Sequence, residues 1–164
     1  MAAYHFVTRW QIRAPIERVY EALTTPERYA EWWPSIVAYR SLTPGLTGVG
    51  ARAERVVRGR LPYTLRYTTT TTKMDPPREV AYNSEGDLIG RGRFTLEPRD
   101  GGTEVTFDWD VRTTGLAMNV LAPLLRLLFS WNHHWVMAQG GRGLGRWLEE
   151  GRPSRPSPEP SPAR

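Results

Sequence analysis

The chain has 164 residues, 40% of them apolar and 24% charged, with a formal net charge of +5; this suits one soluble globular domain with its own core. It contains no cysteine, which excludes thiol nucleophiles, disulfide scaffolds and cysteine-rich zinc sites. Lys73 is the single lysine among 22 basic residues, and the arginines are spread rather than clustered, so they read as a solvated face and no nucleic-acid binding is expected.

At the N-terminus, His5, Arg9, Gln11 and Arg13 interrupt any apolar run. No secretory leader is therefore expected, and the address reads as cytoplasmic. Tyr4, Phe6, Trp10 and Ile12 alternate as on an amphipathic strand that stops at Ala14-Pro15. Pro15 suits a first helical position, and Ile16, Val19, Tyr20 and Leu23 recur at helical spacing, which predicts a short helix ending near Pro26. A second short helix is expected over residues 27–33, closed by Pro34. Gly/Pro punctuation then separates six β-rich runs, at about 36–43, 51–59, 63–74, 78–85, 89–97 and 103–113. Their short connections predict an antiparallel meander.

Beyond Gly115 the period changes. Leu121, Leu124, Leu128, Trp131, Trp135 and Ala138 repeat every three or four residues, predicting a long helix over about 118–149 with that stripe turned inward. Pro123 predicts a bend, and the glycines from Gly140 to Gly145 a loosened later half that could act as a hinge. Residues 115–131 carry Asn119, Pro123 and Arg126, too interrupted for a bilayer crossing. Residues 151–164, with five prolines and nothing apolar larger than Ala or Pro, read as a disordered tail after a single domain of residues 1–150.

Strand, two short helices, six strands and a long helix is an uncommon order. Together with Ile12-Arg-Ala-Pro-Ile-Glu-Arg-Val-Tyr20, Pro26-Glu-Arg-Tyr-Ala-Glu-Trp-Trp-Pro34 and Gly48-Val-Gly50, it resembles the START/Bet v 1-like (SRPBCC) superfamily and, within it, the polyketide cyclase/dehydrase and lipid-transport group. The resemblance implies an α+β helix-grip fold, with a seven-stranded curved antiparallel sheet around a long C-terminal helix. It also implies an internal cavity for a hydrophobic molecule, aromatic, polyketide-like or lipid-like. Some members of the superfamily only bind, others cyclise polyketides, and others resemble Hsp90 activators, which would present an exposed apolar patch on the sheet or the short helices. The chain is expected to be a monomer or homodimer.

Strand parity assigns the faces. Val105, Phe107, Trp109 and Val111 point inward, leaving Asp108 and Asp110 outside beside Arg91 and Arg93 as ion-pair partners rather than a catalytic dyad. A turn centred on Gly101-Gly102 is preferred, because one centred on Asp100-Gly101 would oppose Glu97 to Glu104. Gly90 and Gly92 share the inward parity and should leave space in the core. Trp10, Tyr63, Leu65, Tyr67, Tyr82 and Trp109 from the sheet, with Leu128, Trp131 and Trp135 from the helix, are the expected ligand-binding residues around it. A void of at least ~300 Å³ is the size such a site requires.

Thr69, Thr71 and Ser84 are inward polar candidates. Arg55 is expected at the rim; turned inward, it would favour a carboxylate, enolate or phenolate. Proton transfer, if it occurs, falls to His134, Tyr67 or Arg55, with His134 placed nearer the stripe than His133. Adjacent histidines diverge by ~100° on a helix and cannot chelate one metal. Gly90-Arg-Gly92 lacks the third glycine of a dinucleotide loop. No metal or cofactor is expected.

Overall fold

The computed structural model describes residues 3–113 and 122–151, with nothing assigned to the side chains of 122–126. The expected tail from residue 152 on, and the expected helix start at 118–121 with Leu121, lie outside the described residues, as does the Leu124 side chain. The chain runs β1 (Ala3–Ile12), α1 (Ile16–Thr24), a 3-10 turn (Pro26–Arg28), α2 (Tyr29–Trp32), β2 (Ile36–Ser41), β3 (Arg52–Arg58), β4 (Thr64–Asp75), β5 (Glu79–Gly86), β6 (Leu88–Arg99), β7 (Gly102–Thr113) and α3 (Ala122–Glu149).

The seven strands form one antiparallel sheet in the order β1-β7-β6-β5-β4-β3-β2. It is curved, and α3 lies in its concave face; register shifts at Ile36/Ala38 and Thr71/Lys73 are the kind of irregularity that bends strands. The apolar residues of alternating strands meet there, with Phe6, Phe94, Leu96, Val105 and Phe107 all buried. No helix among the described residues is long and apolar enough to cross a membrane.

The β6–β7 turn is Asp100-Gly101, with Gly101 at φ +79. This is the register that opposes Glu97 to Glu104, contrary to expectation. The repulsion is offset by Arg99, whose guanidinium reaches Glu97 at 3.0 Å and Glu104 at 3.3 Å. Arg93 pairs with Asp108 at 3.6 Å, whereas Asp110 is taken by His5 at 2.6 Å. Both aspartates lie on the outer face, as ion-pair partners.

Helix α3 is continuous from Ala122 to Glu149, and Gly140, Gly141 and Gly143 are tight contacts rather than a loosened hinge, with Gly145 alone facing open space. A Cβ on Gly143 would stand 1.7 Å from the Trp32 carbonyl oxygen, and one on Gly140 2.6 Å from the Trp33 indole. Trp33 completes the attachment by donating its Nε1–H to the Val136 carbonyl at 2.9 Å.

The buried face of α3 runs through Phe129, Asn132, His133, Val136, Met137, Leu144 and Leu148. This corrects the expected stripe. Trp131 is 49% exposed, Leu128 41% and Leu127 76%, and Trp135 is only half-buried. A helix apolar on more than one side leaves its inward face undetermined by hydrophobicity, and here the glycines and the small or flat groups fit the sheet.

Candidate functional site

Between the sheet and α3 lies an inner chamber of about 50 Å³. Strand alternation places Tyr63, Leu65, Tyr67, Tyr82 and Trp109 on its wall, and α3 adds Phe129, Asn132, His133 and Met137. A second, outer chamber of about 180 Å³ opens between the end of α1, the 3-10 turn, the β2–β3 loop and β4; Thr24, Tyr39, Thr69, Thr71 and Met74 are among its lining residues. Arg55, Tyr82 and Phe94 line both and form the wall between them.

The interior is therefore not the single void of ~300 Å³ expected of a preformed drug-sized site. The protein's own rings occupy the middle: Phe94 stacks on Phe107 at 4.2 Å, with Tyr82 and Trp109 around Phe107 at 6.4 and 5.8 Å. The inward glycines do not leave space. A Cβ on Gly92 would meet the Tyr82 ring at 2.5 Å, so that ring has taken the room, and one on Gly90 would strike the Asp110 carbonyl of the neighbouring strand.

Trp10, Gly90, Gly92, Leu128, Trp131 and Trp135 line neither chamber. Trp10 is spent on packing, edge-on to Trp33 at 5.7 Å and close against Gly141.

Arg55 is buried, not at the rim. Ala53, Arg55 and Val57 share the inward parity of β3, so the guanidinium is carried into the core with them. Its carbon stands 5.1 Å from the Tyr29 ring and 5.5 Å from the Tyr82 ring, and its Nε is buried without a hydrogen-bond partner. Among the described residues no carboxylate ion-pairs with it. Desolvation works to lower its pKa, but Tyr29, Tyr67, Tyr82 and Tyr39 together outweigh it and hold the value above normal. The group is a cation at any working pH.

Burial raises the pKa of Tyr29 and Tyr67, with Arg55 opposing, and that of Tyr82 well above normal. These phenols are protonated donors at neutral pH. Tyr29 spends its hydroxyl on the Leu23 carbonyl.

Of the two histidines, the inward one is His133, not His134. His133 is 5% exposed, stacked on Phe6 at 3.9 Å and 5.4 Å from Trp109. Burial first, then His134, lowers its pKa to about 3, so it is neutral at physiological pH. Its Nε2 and the Nε1 of Trp109 are both buried and unpartnered on the wall of the inner chamber. His134 is exposed and donates Nδ1–H to the Ser130 carbonyl at 2.6 Å. The alignment of His133 with Phe129 and Met137, four residues either side, was the sequence signal for this face. Among the described residues no cluster of three or more His, Cys, Asp or Glu could hold a metal ion.

Seven strands gripping a C-terminal helix over polar-studded aromatic chambers define the Bet v 1-like helix-grip class. Within it, the chain belongs to the polyketide cyclase / dehydrase and lipid transport family, whose model matches residues 4–145. Its fold is similar to that of TTHA0849 from Thermus thermophilus, at 19% identity over 93% of this chain and 100% of that one, with a TM-score of 0.71. It is likewise similar to the ZhuI aromatase/cyclase from Streptomyces sp. R1128, at 17% identity, 91% and 95% coverage and a TM-score of 0.74. The di-domain aromatase/cyclase BexL from the BE-7585A biosynthetic pathway matches at 16% identity over 87% of this chain and 50% of that one, with a TM-score of 0.64. No functionally curated protein matches the sequence.

Proposed function

We propose that the chain binds a hydrophobic small molecule bearing a planar anionic oxygen, with that oxygen on Arg55 and the apolar body in the chambers that Arg55 divides. The observation that carries this reading is a buried guanidinium with no carboxylate partner among the described residues. A buried charge with no opposite charge beside it costs several kcal/mol, which two aromatic contacts of roughly 0.5–2 kcal/mol each and a hydrogen bond to the Tyr29 hydroxyl offset only in part. A phenolate, enolate or carboxylate completes the pair, and guanidinium geometry suits its planar oxygens. Trp109 Nε1, His133 Nε2 and the Tyr67 hydroxyl offer further polar contacts around an otherwise apolar wall.

Size narrows the ligand. The outer chamber of about 180 Å³ is the volume of one aromatic ring, since a void of roughly 150 Å³ accepts benzene. A multi-ring ligand requires Tyr82 and Phe94 to turn aside and join the two spaces.

A second reading, a cyclase or dehydratase, draws on the family and on the aromatase/cyclases of the same fold. The groups in place are less suited to it. General acid–base catalysis wants a pKa near the working pH, whereas His133 lies near 3 and the tyrosines are raised.

Tryptophan-fluorescence titration with hydroxybenzoates and their methyl esters tests the assignment. The free acids are expected to bind and the esters at least about tenfold more weakly; Arg55→Met should remove acid binding, a loss of ~2–5 kcal/mol. The empty Arg55→Met protein should melt no lower than the wild type, because a buried charge has been replaced by an apolar side chain. Equal binding of acid and ester, or an Arg55→Met variant that retains the acid, overturns the reading.

A further inference from the structure

Over residues 127–131, α3 is apolar on the face turned away from the sheet as well. Leu127, Leu128 and Trp131 stand exposed on successive turns. The β3–β4 hairpin lies beside them, held by a hydrogen bond from the Arg60 amide to Asn132 Oδ1 at 2.8 Å. Its tip adds half-buried Leu61 and exposed Pro62, and the Arg60 guanidinium lies over the Trp131 and Trp135 rings at 5.7 and 5.9 Å. Arg58 and Arg60 are exposed and have no ion-pair partner among the described residues.

The charge around these side chains is of one sign. The sequence has no Asp or Glu from Arg55 to Arg60 or from Leu127 to Leu148, where the residues of the patch lie. Away from it, Arg28, Arg40, Arg52, Arg93 and Arg99 sit beside carboxylates. Leucine and tryptophan side chains within a purely cationic frame suit a surface that is greasy below and anionic above.

We propose that the chain docks peripherally on anionic lipid bilayers through Leu127, Leu128 and Trp131, with Arg58 and Arg60 on the lipid headgroups. The same hairpin and helix turn contribute Gly59, Tyr63 and Phe129 to the inner chamber, so docking sets one end of that chamber against the bilayer.

The full chain is sedimented with phosphatidylcholine vesicles, with and without about 30% phosphatidylglycerol. It should pellet with the anionic vesicles, far less with the neutral ones, and less as salt rises. Arg58→Gln and Arg60→Gln should each weaken binding about fivefold. Leu127→Asp combined with Trp131→Ser should reduce binding to background while circular dichroism and melting stay as in the wild type. Failure to pellet with anionic vesicles, or undiminished binding by these variants, overturns the proposal. So does a dimer that the Leu127→Asp, Trp131→Ser variant converts to monomer, which assigns the face to a second copy. Retention on immobilised polyglutamate without vesicle binding assigns it to an acidic protein and overturns the proposal equally.

Discussion

The two sides of α3 are not told apart by greasiness. The side turned inward carries Asn132, His133 and three close-packed glycines among Phe129, Val136, Met137, Leu144 and Leu148, while the side facing solvent carries Leu127, Leu128 and Trp131. Hydrophobicity alone does not rank one side of Leu127-Leu128-Phe129 above the other. What decides the matter is shape, because Gly143 lets the helix backbone meet the Trp32 carbonyl and His133 offers a flat ring for Phe6 to stack on. Interiors are close-packed, and fit outweighs greasiness when both sides could be buried.

Substitutions on the two sides should break this comparison unequally. The largest effect is expected from Gly143→Val, which drives side-chain carbon into the Trp32 carbonyl. A loss of more than about 4 kcal/mol, seen as a drop of roughly 8 °C or more in Tm, is expected by calorimetry. A near-normal melt would mean that α3 does not sit where the contacts place it.

Next comes the pH response of the buried side. His133 has a folded pKa of about 3, depressed from 6.5. Between those values the unfolded chain binds the extra proton, so stability falls as pH falls, by about 1.4 kcal/mol per unit. Above pH 6.5 both states are neutral and the contribution is flat. His133→Phe keeps the stacking and abolishes the titration, so its stability should exceed the wild type's by about 3 kcal/mol more at pH 4 than at pH 7. Parallel pH profiles of denaturant midpoints for the two proteins would show that the ring is solvated.

The smallest effect belongs to the outer side. Trp131→Ala removes a half-exposed ring and its contact with Arg60, and the melting free energy should change by no more than about 0.5 kcal/mol. A cost of several kcal/mol would show that this ring is buried in solution.

The order of elements and the walls contributed by strands were legible in the chain because strand parity is binary. A single inward Tyr67 fixes Leu65 and Tyr63, and Trp109 fixes Phe107 and Val111. Helix faces turn by ~100° per residue, so in Leu127-Leu128-Phe129 any of three neighbours could point inward, and the choice fell one residue away from Phe129. Arg55 shows a different limit. Its parity with Ala51, Ala53 and Val57 read inward while Val56 read the other way, and only the surrounding ring of tyrosines explains why the core accepts it. The volume of the interior was not legible at all, because whether Tyr82 fills the notch beside Gly92 depends on a rotamer and not on a pattern.

The bond from the Trp33 indole to the Val136 carbonyl has a kinetic consequence. It clamps α2 and the middle of α3 into one body, so exchange of a bound molecule cannot proceed by lifting the rod from its cradle without breaking that bond and the glycine contacts beside it. Traffic is left to the opposite doorway, where the β2–β3 loop overhangs the larger space. Loops rearrange on the order of nanoseconds to microseconds, far faster than packed helices undock. Residence time would then be governed by the strength of the grip on the guest rather than by the opening of the door.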